Sequence, residues 1–229
     1  MRFMPTSSLK PKLSSKGGSQ TSAAGAATDR MATIETILTY WFGANPGEAA
    51  LAKDRADLWW SKNAEVDSEI RRRFEGSLEL AAEGKLDPWL AEPRGRLALI
   101  ILTDQFPRNI YRDAPLAFSF DAKALAWSLE GIDQSHDQLL QPIERAFFYL
   151  PLEHSELLEH QERSVLMFGN LVPLVAAEQK EIFEQYLSFA ILHRDIIARF
   201  GRFPHRNRIL GRSSTAEEIH FLAQPGASF

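Results

Sequence analysis

From Thr33 onward, the apolar residues of this chain recur at steps of three and four. Ile34, Ile37, Leu38 and Trp41 share one helical face, with Thr33 placed to cap the helix and Gly43 to end it. After the turn Asn45-Pro46-Gly47, a second helical segment includes Leu51, Leu58 and Trp59. A third carries Val66, Ile70, Phe74 and Leu78 four residues apart and stops at Gly84. Its opposite face holds Arg71, Arg72 and Arg73, the pattern of a solvated surface. Leu86 to Leu90 reads as a linker whose Trp89 docks on the core. Leu97 to Leu102 is apolar nearly all round, which predicts a central buried helix closed by the turn Asp104-Gln105-Phe106-Pro107-Arg108-Asn109.

The second half continues in the same period. Asp113 is expected to cap a helix that has Pro115 in its first turn and runs through Phe118, Ala122, Leu125 and Leu129 to Gly131; a loop over 132–141 follows. Pro142 opens a helix holding Phe147, Phe148 and Leu150, which Pro151 is expected to interrupt. Ser155 stands ready to cap the next, with Leu158, Val165 and Phe168 inward and Gly169-Asn170 near its end. Residues 176–200 form the longest predicted helix, about 37 Å at 1.5 Å per residue, with Ile182, Tyr186, Phe189, His193, Ile196 and Phe200 on one face. Thr215 and Glu218 make a capping box for a short final helix. No stretch alternates with period two. The predicted class is therefore all-α, built of antiparallel helix pairs.

Composition narrows the setting. A chain of 229 residues with 45% hydrophobic and 24% charged residues has ample material for a core. No apolar run approaches the roughly 20 residues of a membrane span. The absence of cysteine excludes disulfides, thiolate catalysis and cysteine-ligated metals, and suits a cytoplasmic location. Residues 1–30 hold Arg2, Lys10, Lys12, Lys16 and Arg30 against Asp29, which leaves the remainder eight charges negative. An acidic body argues against a nucleic-acid partner, though not against a local basic pocket. Residues 1–30 are also rich in Ser, Gly and Ala without a hydrophobic period, so they read as a disordered extension to one helical domain over 31–229. A transit peptide shares that composition, but a plain tail, or translation starting at Met31, fits better.

Chemistry concentrates in three places. In Gly201-Arg202-Phe203-Pro204-His205-Arg206-Asn207, a rigid Phe-Pro pair is surrounded by donors, and Arg208 and Arg212 follow closely. Guanidinium forks so gathered suit a phosphate or carboxylate, or equally the carbonyls and buried acids that a turn between helices requires. The earlier Phe-Pro stretch supplies Asp104, Arg108 and Asn109. Between them in sequence lies Pro151-Leu152-Glu153-His154-Ser155-Glu156, where a histidine flanked by carboxylates suits a general base. His193, on the apolar stripe, reads as a pocket-floor or core histidine. The candidate catalytic residues are thus His154 and Glu156. The candidate ligand-binding residues are Asp104, Arg108, Asn109, His193, Arg202, His205, Arg206 and Asn207. No metal or cofactor motif is present: Glu217 and His220 give one Glu-x-x-His pair where a di-iron bundle needs two, and HExxH, GxSxG, P-loop and dinucleotide fingerprints are missing.

The stretches TYWFG, LALIILTDQFPRNIYR, ERAFFYLPLEHSE with QERSV after it, and HRDIIARFGRFPHRNRILGRSSTAEE resemble the bacterial domain-of-unknown-function family 924. Together they span nearly everything from Met31 to Leu222. One departure is Glu153, where the family pattern carries methionine. The resemblance implies a tetratricopeptide-like α-α fold and a soluble bacterial-type protein, and it brings no activity, cofactor or catalytic residue. The family pattern begins close to Met31.

Two functions follow from the residues. One is a helical binding module whose Arg/His pocket takes a small anionic ligand or an acidic peptide. The other is a hydrolase or transferase with His154 as base, Glu156 orienting it, and Arg108 and Arg206 clamping the substrate. Removing residues 1–30 is expected to leave the melting temperature within about 2 °C, measured by thermal unfolding of a chain beginning at Met31, because the extension adds no core burial.

Overall fold

A computed structural model describes residues 31–47 and 50–226, and the extension 1–30 lies outside them. All regular structure among the described residues is helical. Helix α1 (Ile34–Phe42) begins as its sequence dictates: the Thr33 hydroxyl accepts from the Thr36 amide at 3.1 Å, and Ile37, Leu38, Trp41 and Phe42 are buried. The segment expected as one helix after Pro46 splits at Arg55 into α2 (Leu51–Asp54) and α3 (Ala56–Trp60). Helix α4 (Ala64–Ala82) is capped by Asn63 and buries Ile70, Phe74 and Leu78, the stripe its spacing predicts.

The central element is α5 (Pro93–Ile100), buried without interruption from Gly95 to Ile100. It does not end in a turn. The helix widens into one π turn (Ile101–Gln105) and resumes as α6 (Phe106–Ile110), so the first Phe-Pro stretch is helical rather than the expected break. The reason is positional. Pro107 falls in the first turn of α6, where its missing N–H has no partner to lose, and the wider turn ahead of it absorbs the disturbed ladder.

Helix α4 packs on the π turn and α6, while α1, α7 (Asp121–Asp133) and α8 (Pro142–Glu153) pack against α5. Asp113 does not cap α7. It sits at φ +62°, the left-handed region that Asp tolerates, and a 3-10 turn over Pro115–Phe118 intervenes. Gly131 lies inside α7, where its bare Cα lets Arg96 and Phe148 approach. The predicted loop 132–141 contains a short 3-10 turn at Asp137–Leu139.

Two further expectations fail for local reasons. Helix α8 runs through Pro151 to Glu153, since the missing Pro151 N–H costs the helix only the bond to the Phe147 carbonyl. Past that point Gln161 Nε2 donates to Glu153 O and to Ser155 O, both at 2.6 Å, which satisfies the end of the helix and the residues after it. Ser155 is not the cap of α9 (Leu158–Leu171), since that helix starts after Leu157; its hydroxyl accepts from the Leu157 amide at 3.2 Å. Helix α9 and α10 (Ala177–Phe200) form an antiparallel hairpin against α8, an arrangement compatible with a tetratricopeptide-like fold. On α10 the inward residues are Phe183, Ala190, His193, Ile196 and Ile197; Phe189 is 53% exposed, so the true buried face is turned from the expected one. Gly201 closes α10 at φ +66°, its N–H on Ile197 O at 2.8 Å, and the second Phe-Pro stretch is a genuine turn ending in a 3-10 turn at Pro204–Arg206. The Thr215–Glu218 capping box opens α11 (Ala216–Leu222).

One buried apolar cluster runs from Ile37 to Ala190, and a smaller one of Ile196, Ile197 and Phe203 lies at the end of α10. Gly95 marks the closest approach to α5, since a Cβ there would press into the Trp89 backbone carbonyl, which cannot swing aside. Gly95→Ala should therefore destabilise the protein by about 1–3 kcal/mol in urea unfolding.

Candidate functional site

The π turn has a chemical consequence: it carries Asp104, a charged residue, into the interior at 0% exposure. A carboxylate so placed must be compensated, and it is. Gln105 Nε2 donates to Oδ2 at 2.6 Å, His154 Nδ1 lies 2.8 Å from Oδ1, and Arg108 Nη1 lies 3.5 Å from Oδ1. Burial alone would raise the Asp104 pKa, but Arg108, then His154, hold it well below the usual carboxylate range. The carboxylate is ionised. His154 Nδ1 therefore donates, and Nε2 of the neutral ring carries the lone pair.

His154 ends α8, so its ring projects from the helix terminus. Its side chain retains 14% exposure, and among the described residues Nε2 makes no hydrogen bond. Burial, then the Arg108 charge, lower its pKa, which keeps the ring neutral at pH 7.

Two arginines frame the pair. Arg108 grips Asp121, the first residue of α7, at 2.9 and 3.1 Å and also donates to the Asp104 carbonyl. Arg206 donates to the His154 carbonyl at 3.0 Å and reaches Asp121 Oδ2 at 3.6 Å. Its guanidinium lies between the rings of Phe118 and Phe203, 4.9 and 4.5 Å from their centroids. Burial, then Arg108, lower its pKa to about 10. The two Phe-Pro stretches and the end of α8 thus meet, with Asp121 as the shared counter-charge of Arg108 and Arg206.

A second pair lies behind. The Glu153 carboxyl is 3.3 Å from His193 Nδ1, which itself donates to Phe189 O at 2.8 Å. Burial, then Asp104, raise Glu153 to about 8, while burial lowers His193 to about 3. Both shifts describe an uncharged pair. His205, whose ring lies 5.5 Å from that of Phe203, is lowered to about 4 by burial and by Arg206.

Other candidates fall elsewhere. Glu156 does not orient His154. Its carboxylate takes Arg212 at 2.6 and 2.9 Å and the Phe203 amide at 2.8 Å, and the acid on His154 is Asp104 instead. Arg202 pairs with Glu218 at 2.6 and 2.8 Å, and Asn207 bonds Glu218, Ser214 and Arg212. These residues brace the turn before α11. Asn109 bonds Asp67 at 2.9 Å beside Arg112, on the α4 side. Sequence reasoning missed Asp121 and Gln161. An acid opening a helix reads as ordinary dipole complementation, and a lone glutamine gives no signal at all. Among the described residues, no group of three or more His, Asp and Glu side chains is arranged to hold a metal.

This geometry defines an all-helical protein built around a buried carboxylate–imidazole pair flanked by arginines. The chain belongs to the family described as "Bacterial protein of unknown function (DUF924)", whose model matches residues 37–226. It is similar to the solved "Structure of Protein of Unknown Function ATU0120 from Agrobacterium tumefaciens", at 39% identity and a TM-score of 0.65, covering 76% of this chain and 98% of that one. No curated protein matches it.

The Glu153 and His193 shifts have opposite signs in pH. Glu153 titrates higher folded than unfolded, where it lies near 4.3, so its contribution is full below that value and is lost as pH rises through about 8. His193 titrates lower folded than unfolded, where it lies near 6.5, so its contribution is present above that value and is lost as pH falls toward about 3. Glu153→Gln is expected to flatten the decline in melting temperature between about pH 5 and 8, and His193→Gln the decline on the acid side, both read by calorimetry.

Proposed function

We propose that the protein is an enzyme of hydrolytic or group-transfer type in which His154 is the general base. The observation that supports this is the asymmetry of its ring: Nδ1 is fixed on the buried Asp104 carboxylate at 2.8 Å, while Nε2 makes no hydrogen bond among the described residues and the side chain keeps 14% of its surface exposed. An ionised acid behind a neutral imidazole fixes the tautomer and stabilises the imidazolium that forms when Nε2 takes a proton from water or a substrate hydroxyl. That proton is then available to the leaving group. Arg108 engages Asp104 and Asp121 through its Nη groups, so its Nε–H remains to meet developing negative charge. Asp104 is the orienting residue in this reading, the role expected of Glu156 from the sequence.

A second reading is a module that holds a small anionic ligand or an acidic peptide at the same cluster. It draws on Arg206, whose Nε is buried without a hydrogen-bond partner. Against it stands the local charge balance, because Arg108 and Arg206 already face Asp104 and Asp121. A cytoplasmic setting without a nucleic-acid partner belongs to the same proposal. It is supported by the cysteine-free, acidic composition and by the absence among the described residues of a helix long and apolar enough to cross a membrane.

Screening the full chain against ester, amide and phosphomonoester substrates should reveal a turnover that His154→Ala lowers about 10²–10⁴-fold and Asp104→Asn at least about tenfold. Turnover unchanged in His154→Ala, with melting temperature preserved, would remove the catalytic reading. An anion that stabilises the parent chain but not Arg206→Ala would support the module.

A further inference from the structure

A polar concavity lies on α1 and shares no residue with the His154 cluster. It has a volume of about 540 Å³ and is lined by Glu35, Thr36, Thr39, Tyr40, Arg55 and Arg73. That size suits a small organic molecule rather than a bare ion.

Its chemistry turns on Arg55. The arginines of the His154 cluster and of the C-terminal turn before α11 that were placed above meet carboxylates: Arg108 and Arg206 share Asp121, Arg202 takes Glu218 and Arg212 takes Glu156; the second arginine of this hollow, Arg73, pairs with Glu69 at 3.1 Å. Among the described residues, Arg55 meets none. Its one hydrogen bond is from Nη1 to the Tyr40 carbonyl at a long 3.4 Å, which engages a single donor of the five it carries. Its seat is made by Gly43: at φ +79° that residue ends α1 with no side chain, and a Cβ there would stand 2.9 Å from Arg55 Nη2. The chain break between α2 and α3 falls on Arg55 itself, so the guanidinium leaves the helices there and crosses to α1.

The neighbours extend the donor set. Arg73 lies over the Tyr40 ring with its central carbon 4.6 Å from the centroid. Both guanidinium charges act on the Tyr40 phenol, yet burial, then Glu69, push its pKa up to about 12, so the hydroxyl keeps its proton and can donate. Thr36 and Thr39 add hydroxyls. Glu69 is paired with Arg73, and Glu35 with Arg94, which also takes Glu144 at 2.8 Å, so among the side chains that line the hollow Arg55 is the cation with no ion-pair partner. One charge, a planar fork and a phenol beside it match a singly charged planar group; Glu35 at the rim disfavours a dianion.

We infer that this hollow is a binding site for a small carboxylate-bearing molecule, its carboxylate forked by Arg55 and its body lying along Thr36, Thr39 and Tyr40.

The test is an NMR titration of the ¹⁵N-labelled full chain with sodium benzoate at constant ionic strength. The expected result is saturable shifts centred on Thr36, Thr39, Tyr40 and Arg55. Arg55→Gln should weaken benzoate by about tenfold or more, the loss of a charge-assisted fork. Arg55→Lys should fall between, keeping the charge without the fork. Tyr40→Phe, which preserves the ring under Arg73, should weaken it severalfold and serves if Arg55→Gln does not fold. No saturable shift, shifts centred instead on His154 and Arg206, or unchanged affinity in Arg55→Gln or Tyr40→Phe would each overturn the assignment. So would inorganic phosphate binding there more tightly than benzoate.

Discussion

The arrangement of this protein's interior depends on one constraint, the burial of the Asp104 carboxylate. A negative charge at that depth is tolerable only if donors surround it, and Gln105, His154 and Arg108 do so. Each donor is in turn fixed by something else. Arg108 needs Asp121, which sets the entry to α7, and Asp121 also faces Arg206 beyond α10. His154 offers its carbonyl to Arg206. Helices far apart in sequence are thus tied through one chain of charges, and the neutral Glu153–His193 pair sits directly behind it.

The π turn makes this possible. A regular helix through Ile101–Gln105 would hold every side chain in register with the end of α5, whose last four residues, Leu97 to Ile100, are apolar and buried. One wider turn shifts the register, so that a polar residue enters the interior next to the helix end that carries His154. The electrostatics then follow: an ionised acid fixes one ring nitrogen of His154, and the other makes no hydrogen bond among the described residues.

The C-terminal turn shows the other use of arginine. Arg202, Arg212, Glu156, Glu218 and Asn207 satisfy one another and bind α11 to the end of α10. In sequence Arg202 and Arg212 are indistinguishable from Arg206, since all crowd the same Phe-Pro pair. They differ in which acid lies across from them, Glu218, Glu156 or Asp121, and each acid belongs to another segment.

By itself the sequence determined the helical class, the caps at Thr33 and Thr215, the stripe on α4, and the regions that hold the polar cluster, because these depend on period and on neighbours a few residues away. It placed Asp104, Arg108, His154, His193 and Arg206 among the residues to watch. Only the tertiary structure decided that Asp104 rather than Glu156 backs His154, that Pro107 and Pro151 are carried within helices, and that α10 turns Phe189 outward. A proline's effect depends on where it falls in its helix and on how the ladder around it is arranged, and a charge's role on which counter-charge reaches it. The second is settled by residues some fifty positions apart, and no local pattern encodes that distance.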